Sequence, residues 1–148
     1  MINYGELNKS VKLFCKRLAK DVQKEFKRKR KNPQKWDYPA MASVCCWSNR
    51  PETFYEGVTT YVNHNSYPNR LLRNKLLRLG QIGRMNKAVC EYPIGHCAEP
   101  HAAQKLLKNE KGCNNLGDIY FSVAMRPRTC EKFAPCYNCR KTFPTLDL

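Results

Sequence analysis

Two fragments of this 148-residue chain carry residues suited to metal chemistry: His96-Cys97-Ala98-Glu99-Pro100-His101 and Pro135-Cys136-Tyr137-Asn138-Cys139-Arg140. Each stands where a helical pattern begins. A Cys-x-x-Cys pair on a first helical turn can grip one zinc ion with both sulfurs, and the positive helix end favours the thiolate form that zinc requires. Cys97 offers a third ligand and leaves one coordination position for water, whose pKa the metal lowers toward neutrality. Such a water needs a proton shuttle. Glu99, two residues after Cys97, can sit beside the metal without binding it, accept the water proton and return protons to a substrate nitrogen and leaving group. A rival reading closes the site. Cys97 and His101 are four apart on one helical face, and with Cys136 and Cys139 they would make an inert four-ligand zinc in a basic nucleic-acid-binding module. That reading leaves Glu99 and Pro135 without a role.

Taken together, the two fragments resemble the signature of the zinc-dependent cytidine deaminase superfamily, His-or-Cys-x-Glu followed by Pro-Cys-x-x-Cys. The resemblance covers roughly residues 40–143, including the order of elements read below. It implies Cys97, Cys136 and Cys139 as ligands of one catalytic Zn2+, Glu99 as general acid/base, and the Ala98 backbone N–H as donor to a cytosine carbonyl. Family members often place a substrate-contacting asparagine at the end of the second strand, which points equally to Asn63 and Asn65. The implied reaction is hydrolytic deamination of cytosine to uracil. Three thiolates weaken the Lewis acidity of a zinc unless a positive group compensates. Small free-nucleoside cytidine deaminases are similar in having Cys-Ala-Glu and Pro-Cys-x-x-Cys-Arg, and that likeness implies Arg140 as the compensating group. It also makes free cytidine or deoxycytidine the second choice of substrate.

Charge favours a larger substrate. Lys plus Arg number 27 against 12 acids, a formal +15, and a surface that positive fits a polyanionic partner. Residues 1–35 alone hold 12 bases and 3 acids. The run Lys27-Arg28-Lys29-Arg30-Lys31 reads either as a solvated face or as a phosphate contact or nuclear-localisation patch. Around the second motif lie Arg126, Arg128, Lys132 and Lys141. Tyr92, Phe133 and Tyr137 could stack on a base, although aromatics more commonly pack inside. The expected partner is single-stranded DNA, slightly ahead of RNA. No stretch approaches the roughly 20 apolar residues of a membrane span.

The elements that must position these residues follow from periodicity. Leu7, Val11, Phe14, Leu18, Val22 and Phe26 share one helical face, which predicts an amphipathic helix over 4–30 stopped by Asn32-Pro33. Residues 40–47 and 53–62 are rich in β-formers and flank a turn composition at 48–52, a hairpin. A leucine-rich helix follows near 69–79, then an irregular stretch over 81–95. A helix over 98–109, a buried strand over 119–125, a loop through Pro127 and Pro135, and a short helix from Cys136 complete the chain. The expected fold is α/β, a cytidine-deaminase-like sheet of at least three strands backed by helices. The basic helix of 1–35 is an addition to a deaminase-like catalytic domain over 36–148.

Only residues 141–148 follow the second motif, too few for the last one or two strands of the family's usual five-stranded sheet. The first strand or the 81–94 segment is left to fill that edge, and a minimal toxin-type member of the family fits the shortened C-terminus. Nine cysteines, an odd number, and the lack of an apolar run at the N-terminus suggest a reducing intracellular setting, cytoplasm or nucleus. Export as a toxin domain by a route needing no signal peptide stays open. Cys15, Cys45, Cys46, Cys90, Cys113 and Cys130 show no paired spacing for a second metal and read as small apolar filler.

Overall fold

The first helix shows how the apolar stripe builds the molecule. In the computed structural model, which describes residues 1–86 and 88–147, α1 spans Tyr4–Arg28. Asn3 caps it, its side chain accepting from the Glu6 N–H at 3.1 Å. Leu7, Val11, Phe14 and Cys15 are buried, while Leu18, Val22 and Phe26 are half-buried. The stop comes before Asn32-Pro33: Arg30 turns left-handed at φ 56°, and the Lys31 N–H reaches back to the Phe26 carbonyl at 2.9 Å. This is a Schellman-type ending with arginine where glycine is usual.

The hairpin forms from β1 (Ala42–Trp47) and β2 (Arg50–Val58), antiparallel and joined directly through Ser48-Asn49. The second strand starts and ends earlier than its composition predicts. Pro51, which argues for a turn, sits inside β2; the strand lies on the sheet edge, where a missing N–H costs no ladder bond. β1 is central and buried along most of its length. Ala42, Val44 and Cys46 pack with Leu7, Val11 and Phe14 of α1, whereas Cys45 belongs to the core on the other side. The basic N-terminal helix therefore packs against one face of the sheet.

The opposite face carries the remaining helices, α2 (Arg70–Leu77), α3 (Ala98–Asn109) and α4 (Tyr137–Thr142). Leu72, Leu76, Leu106, Leu107, Phe121 and Phe143 fill the space between them and the sheet. α3 lies across both strands of the hairpin. Gly57 of β2 makes that approach possible, since a Cβ there would lie 2.3 Å from the Ala102 nitrogen and 2.5 Å from the Ala98 oxygen.

Among the described residues the sheet has five strands, all antiparallel to their neighbours. The predicted strand over 119–125 is broken into β3 (Ile119–Phe121) and β4 (Ala124–Met125). Ser122 causes the break. Its hydroxyl accepts from the Val44 N–H at 3.0 Å, and the freed Val123 N–H donates to the Asn8 side chain of α1 at 2.9 Å. β5 (Lys132–Phe133), predicted as loop, pairs with β4 through a turn in which Cys130 is left-handed at φ 59°. This hairpin forms the far edge, not the first strand or the 81–94 segment. The latter instead folds back on itself, Gly83 N–H to Ile94 carbonyl at 2.8 Å. No helix among the described residues is long and apolar enough to cross a membrane.

Candidate metal centre

α3 and α4 begin side by side, and each begins with a cysteine. Cys97 is the residue preceding the first turn of α3 and Cys136 the one preceding α4, both extended, while Cys139 lies one turn into α4. This is where a helix offers unsatisfied N–H groups and positive potential. The Cys97 and Cys136 sulfurs are 3.2 Å apart, and all three sulfurs lie within 4.8 Å of one another. Tetrahedral bonds of about 2.3 Å put thiolates about 3.8 Å apart. The sulfurs are close enough together that the group could hold a metal ion, and thiolate donors suit a thiophilic one.

The thiols are not equivalent. Hydrogen bonds from the Cys139 and Cys97 thiols and from two backbone N–H groups hold Cys136 far below the ordinary thiol range. Cys97 and Cys139 are pushed up, first by donating to Cys136. Cys136 is thus the first to ionise.

Glu99 occupies the first turn of α3 with 4% of its surface exposed. Burial pushes its carboxyl up to about 7, against the pull of its own backbone N–H. The Cys139 sulfur lies 3.7 Å from its Oε1. Ala98, also buried, heads the same turn. His101 is placed elsewhere: its Nε2 lies 3.3 Å from the Thr60 carbonyl, and its ring is 5.5 Å from that of Tyr67. The sulfur cluster assembles without it.

A cleft of about 840 Å3 opens over the cluster, with Cys97, Ala98, Glu99 and Cys136 in its wall. Arg126, Arg128 and Phe133 line it too, delivered by the β4–β5 hairpin, with the Arg126 guanidinium 4.6 Å above the Phe133 ring. Other expected residues fall outside. β2 ends at Val58, so Asn63 and Asn65 lie in an exposed turn beyond it, where the Asn63 side chain accepts from the Asn65 N–H at 2.8 Å. Thr59 and Thr60 stand in the cleft wall instead. Tyr137 is half-buried beneath Lys141, whose Nζ is 5.7 Å from the ring, and Arg140 is exposed on α4; neither lines the cleft. Lys27, Arg28, Lys29, Arg30 and Lys31 are all exposed at the end of α1.

Two exposed aromatic residues of the cleft escaped the reading of the sequence. Trp36, in a short 3-10 turn at Lys35–Asp37, is 74% exposed, and Tyr61 is 90% exposed. His96 is buried beside Cys97 with Tyr61 packed edge-on at 5.1 Å, and burial lowers its pKa. A lone tryptophan amid Asn-Pro-Gln-Lys and Asp has no apolar period to bury it, and that was the available signal. No family model, curated protein or solved structure matches the chain.

Proposed function

We propose that the chain hydrolyses the exocyclic amino group of cytosine, giving uracil and ammonia, on single-stranded DNA or RNA, with zinc held by Cys97, Cys136 and Cys139. The sheet and helices then form a cytidine-deaminase-like fold. One observation carries the reading: a buried carboxyl, Glu99, touches a three-cysteine cluster and forms the wall of an open cleft. A closed site would need no such acid and would draw on His101, which the Thr60 carbonyl engages instead.

When bound, zinc supplies Lewis acidity and makes a water in its open position acidic near neutral pH. Glu99 does the proton work. With its carboxyl near pKa 7, it can take a proton at one stage and give one back at another, as attack at the amino-bearing carbon and departure of ammonia require. Its burial also prevents it from becoming a freely solvated anion that would hold its proton less readily. The Ala98 N–H heads α3, where the helix supplies no acceptor, and it can hold the cytosine carbonyl.

The test uses purified wild type and Glu99→Ala with a cytosine-containing single-stranded DNA oligonucleotide, the matching RNA and free cytidine, scoring uracil or uridine. Wild type converts an oligonucleotide, with a rate at limiting substrate that falls steeply from about 50 to about 200 mM salt, and Glu99→Ala retains zinc but converts nothing. Conversion of cytidine alone would make this a free-nucleoside enzyme. No conversion, with one tightly bound zinc, would make it a binding module.

A further inference from the structure

The cleft is far larger than one base needs, and part of its wall comes from a segment outside the resemblance. Lys35 and Trp36 precede residue 40, and Trp36 places most of its indole in solvent while lining the same cleft as Glu99. Tyr61, in the linker after β2, is likewise exposed and lines it. A large exposed indole gains nothing for the fold, since neither packed core includes it.

Charge identifies the occupant. Lys35, Arg126 and Arg128 line the cleft, and its one carboxylate, Glu99, is buried. Lys35 and Arg128 form no ion pair among the described residues. The basic end of α1 borders this wall: the Gln23 side-chain nitrogen lies 3.5 Å from the Tyr38 hydroxyl, and Tyr38 lines the cleft. Lys24, Lys27 and Lys31 follow directly on that end of the helix. Flat aromatic faces between free cations suit a strand with unpaired bases, whereas a duplex keeps its bases stacked on one another.

We infer that Trp36 is a stacking platform for a base flanking the one presented to Glu99, with Lys35 and the basic end of α1 holding the phosphates that follow. This deepens the proposed function by naming residues that would make the substrate several nucleotides long rather than one nucleoside. A strand lies across Trp36 on its way to the cluster, and the backbone leaves along α1.

Binding tests it without any turnover. Zinc-loaded Glu99→Ala, alone and with Trp36→Ala, Trp36→Phe or Lys35→Ala, is titrated into a fluorescein-labelled single-stranded DNA oligonucleotide and followed by anisotropy. Trp36→Ala weakens binding about tenfold, inside the roughly 5- to 150-fold range of a lost base stack, and leaves the salt slope unchanged. Trp36→Phe recovers most of the loss. Lys35→Ala lowers the salt slope by about one. An abasic site placed beside the target cytosine weakens the parent protein and abolishes the difference between Trp36 and alanine. Equal affinity of the Trp36→Ala protein, a loss that the abasic strand leaves in place, or no binding by the parent would each overturn the inference. The two readings fail separately: turnover with Trp36-independent binding retains the chemistry and removes the platform, and Trp36-dependent binding without turnover does the reverse.

Discussion

Replacing Gly57 by alanine drives a methyl group into the backbone of α3 and thereby moves one of the three cysteines of the cluster. The built Cβ lies 2.3 Å from the Ala102 nitrogen, 2.5 Å from the Ala98 oxygen and 2.9 Å from the Ala102 Cα. None of these atoms can rotate away as a side-chain tip would. Restoring ordinary contact requires α3 to lift from β2 by about 1 Å, a shift that overpacking data put at roughly 1–3 kcal/mol, here at the upper end because both partners are backbone. For a chain of this length 3 kcal/mol lowers Tm by about 10 °C. The lift carries Cys97 and Glu99 with Ala98, whereas Cys136 and Cys139 sit on α4 and stay. Gly57→Ala should therefore lose zinc affinity as well as stability. A thermal melt with and without zinc, paired with zinc competition against a chromophoric chelator, reads both quantities. Unchanged Tm and unchanged zinc affinity would refute the close approach. Lower Tm with full zinc affinity would refute the mechanical link from β2 to the cluster.

The other perturbations separate metal from scaffold. Cys136→Ala removes the thiol that ionises first, and the protein should lose its zinc together with the rise in Tm that zinc confers; one zinc per chain by elemental analysis would place the metal elsewhere. Asn8→Ala leaves the half-buried Val123 N–H without its acceptor and should cost about 1–2 kcal/mol in urea unfolding, largely recovered by Asn8→Asp. Equal stability of Asn8→Ala would mean that the Asn8–Val123 hydrogen bond does not help to hold α1 on the sheet.

What could be read in the residues depended on whether the physics was local. The helices over 4–28 and 98–109 follow from apolar period, and the two cysteine fragments announce their helix starts because Cys97 and Cys136 stand immediately before those patterns. The end of α1 was placed late because Arg30 adopts the left-handed turn that glycine usually marks. β2 was started late because Pro51 reads as a turn unless the strand is known to lie at an edge, which is a property of the whole sheet. Likewise nothing local says that Ser122 will replace a ladder bond with its hydroxyl, or that the strand will resume at Ala124. At the site, the Cys-x-Glu and Cys-x-x-Cys fragments were legible because each falls within one turn of a helix start, whereas their meeting depends on α3 and α4 beginning side by side. Asn63 and Asn65 lie outside the cleft and Trp36, which the sequence did not single out, lies in its wall, because their places depend on where β2 stops and where the chain turns after α1.

The edge strand ties fold and site together. Left unpaired, β4 would present a row of unsatisfied backbone groups beside the cleft. The chain instead folds back before α4, pairing Lys132–Phe133 with Ala124–Met125. That same hairpin places Arg126, Arg128 and Phe133 in the cleft wall and delivers Pro135-Cys136 to the start of α4. Completion of the sheet and construction of the cationic wall are thus one structural event. A substitution that unpaired β5 would be felt at Cys136 through only two intervening residues, well before it was felt in the cores that Leu7 and Leu106 anchor.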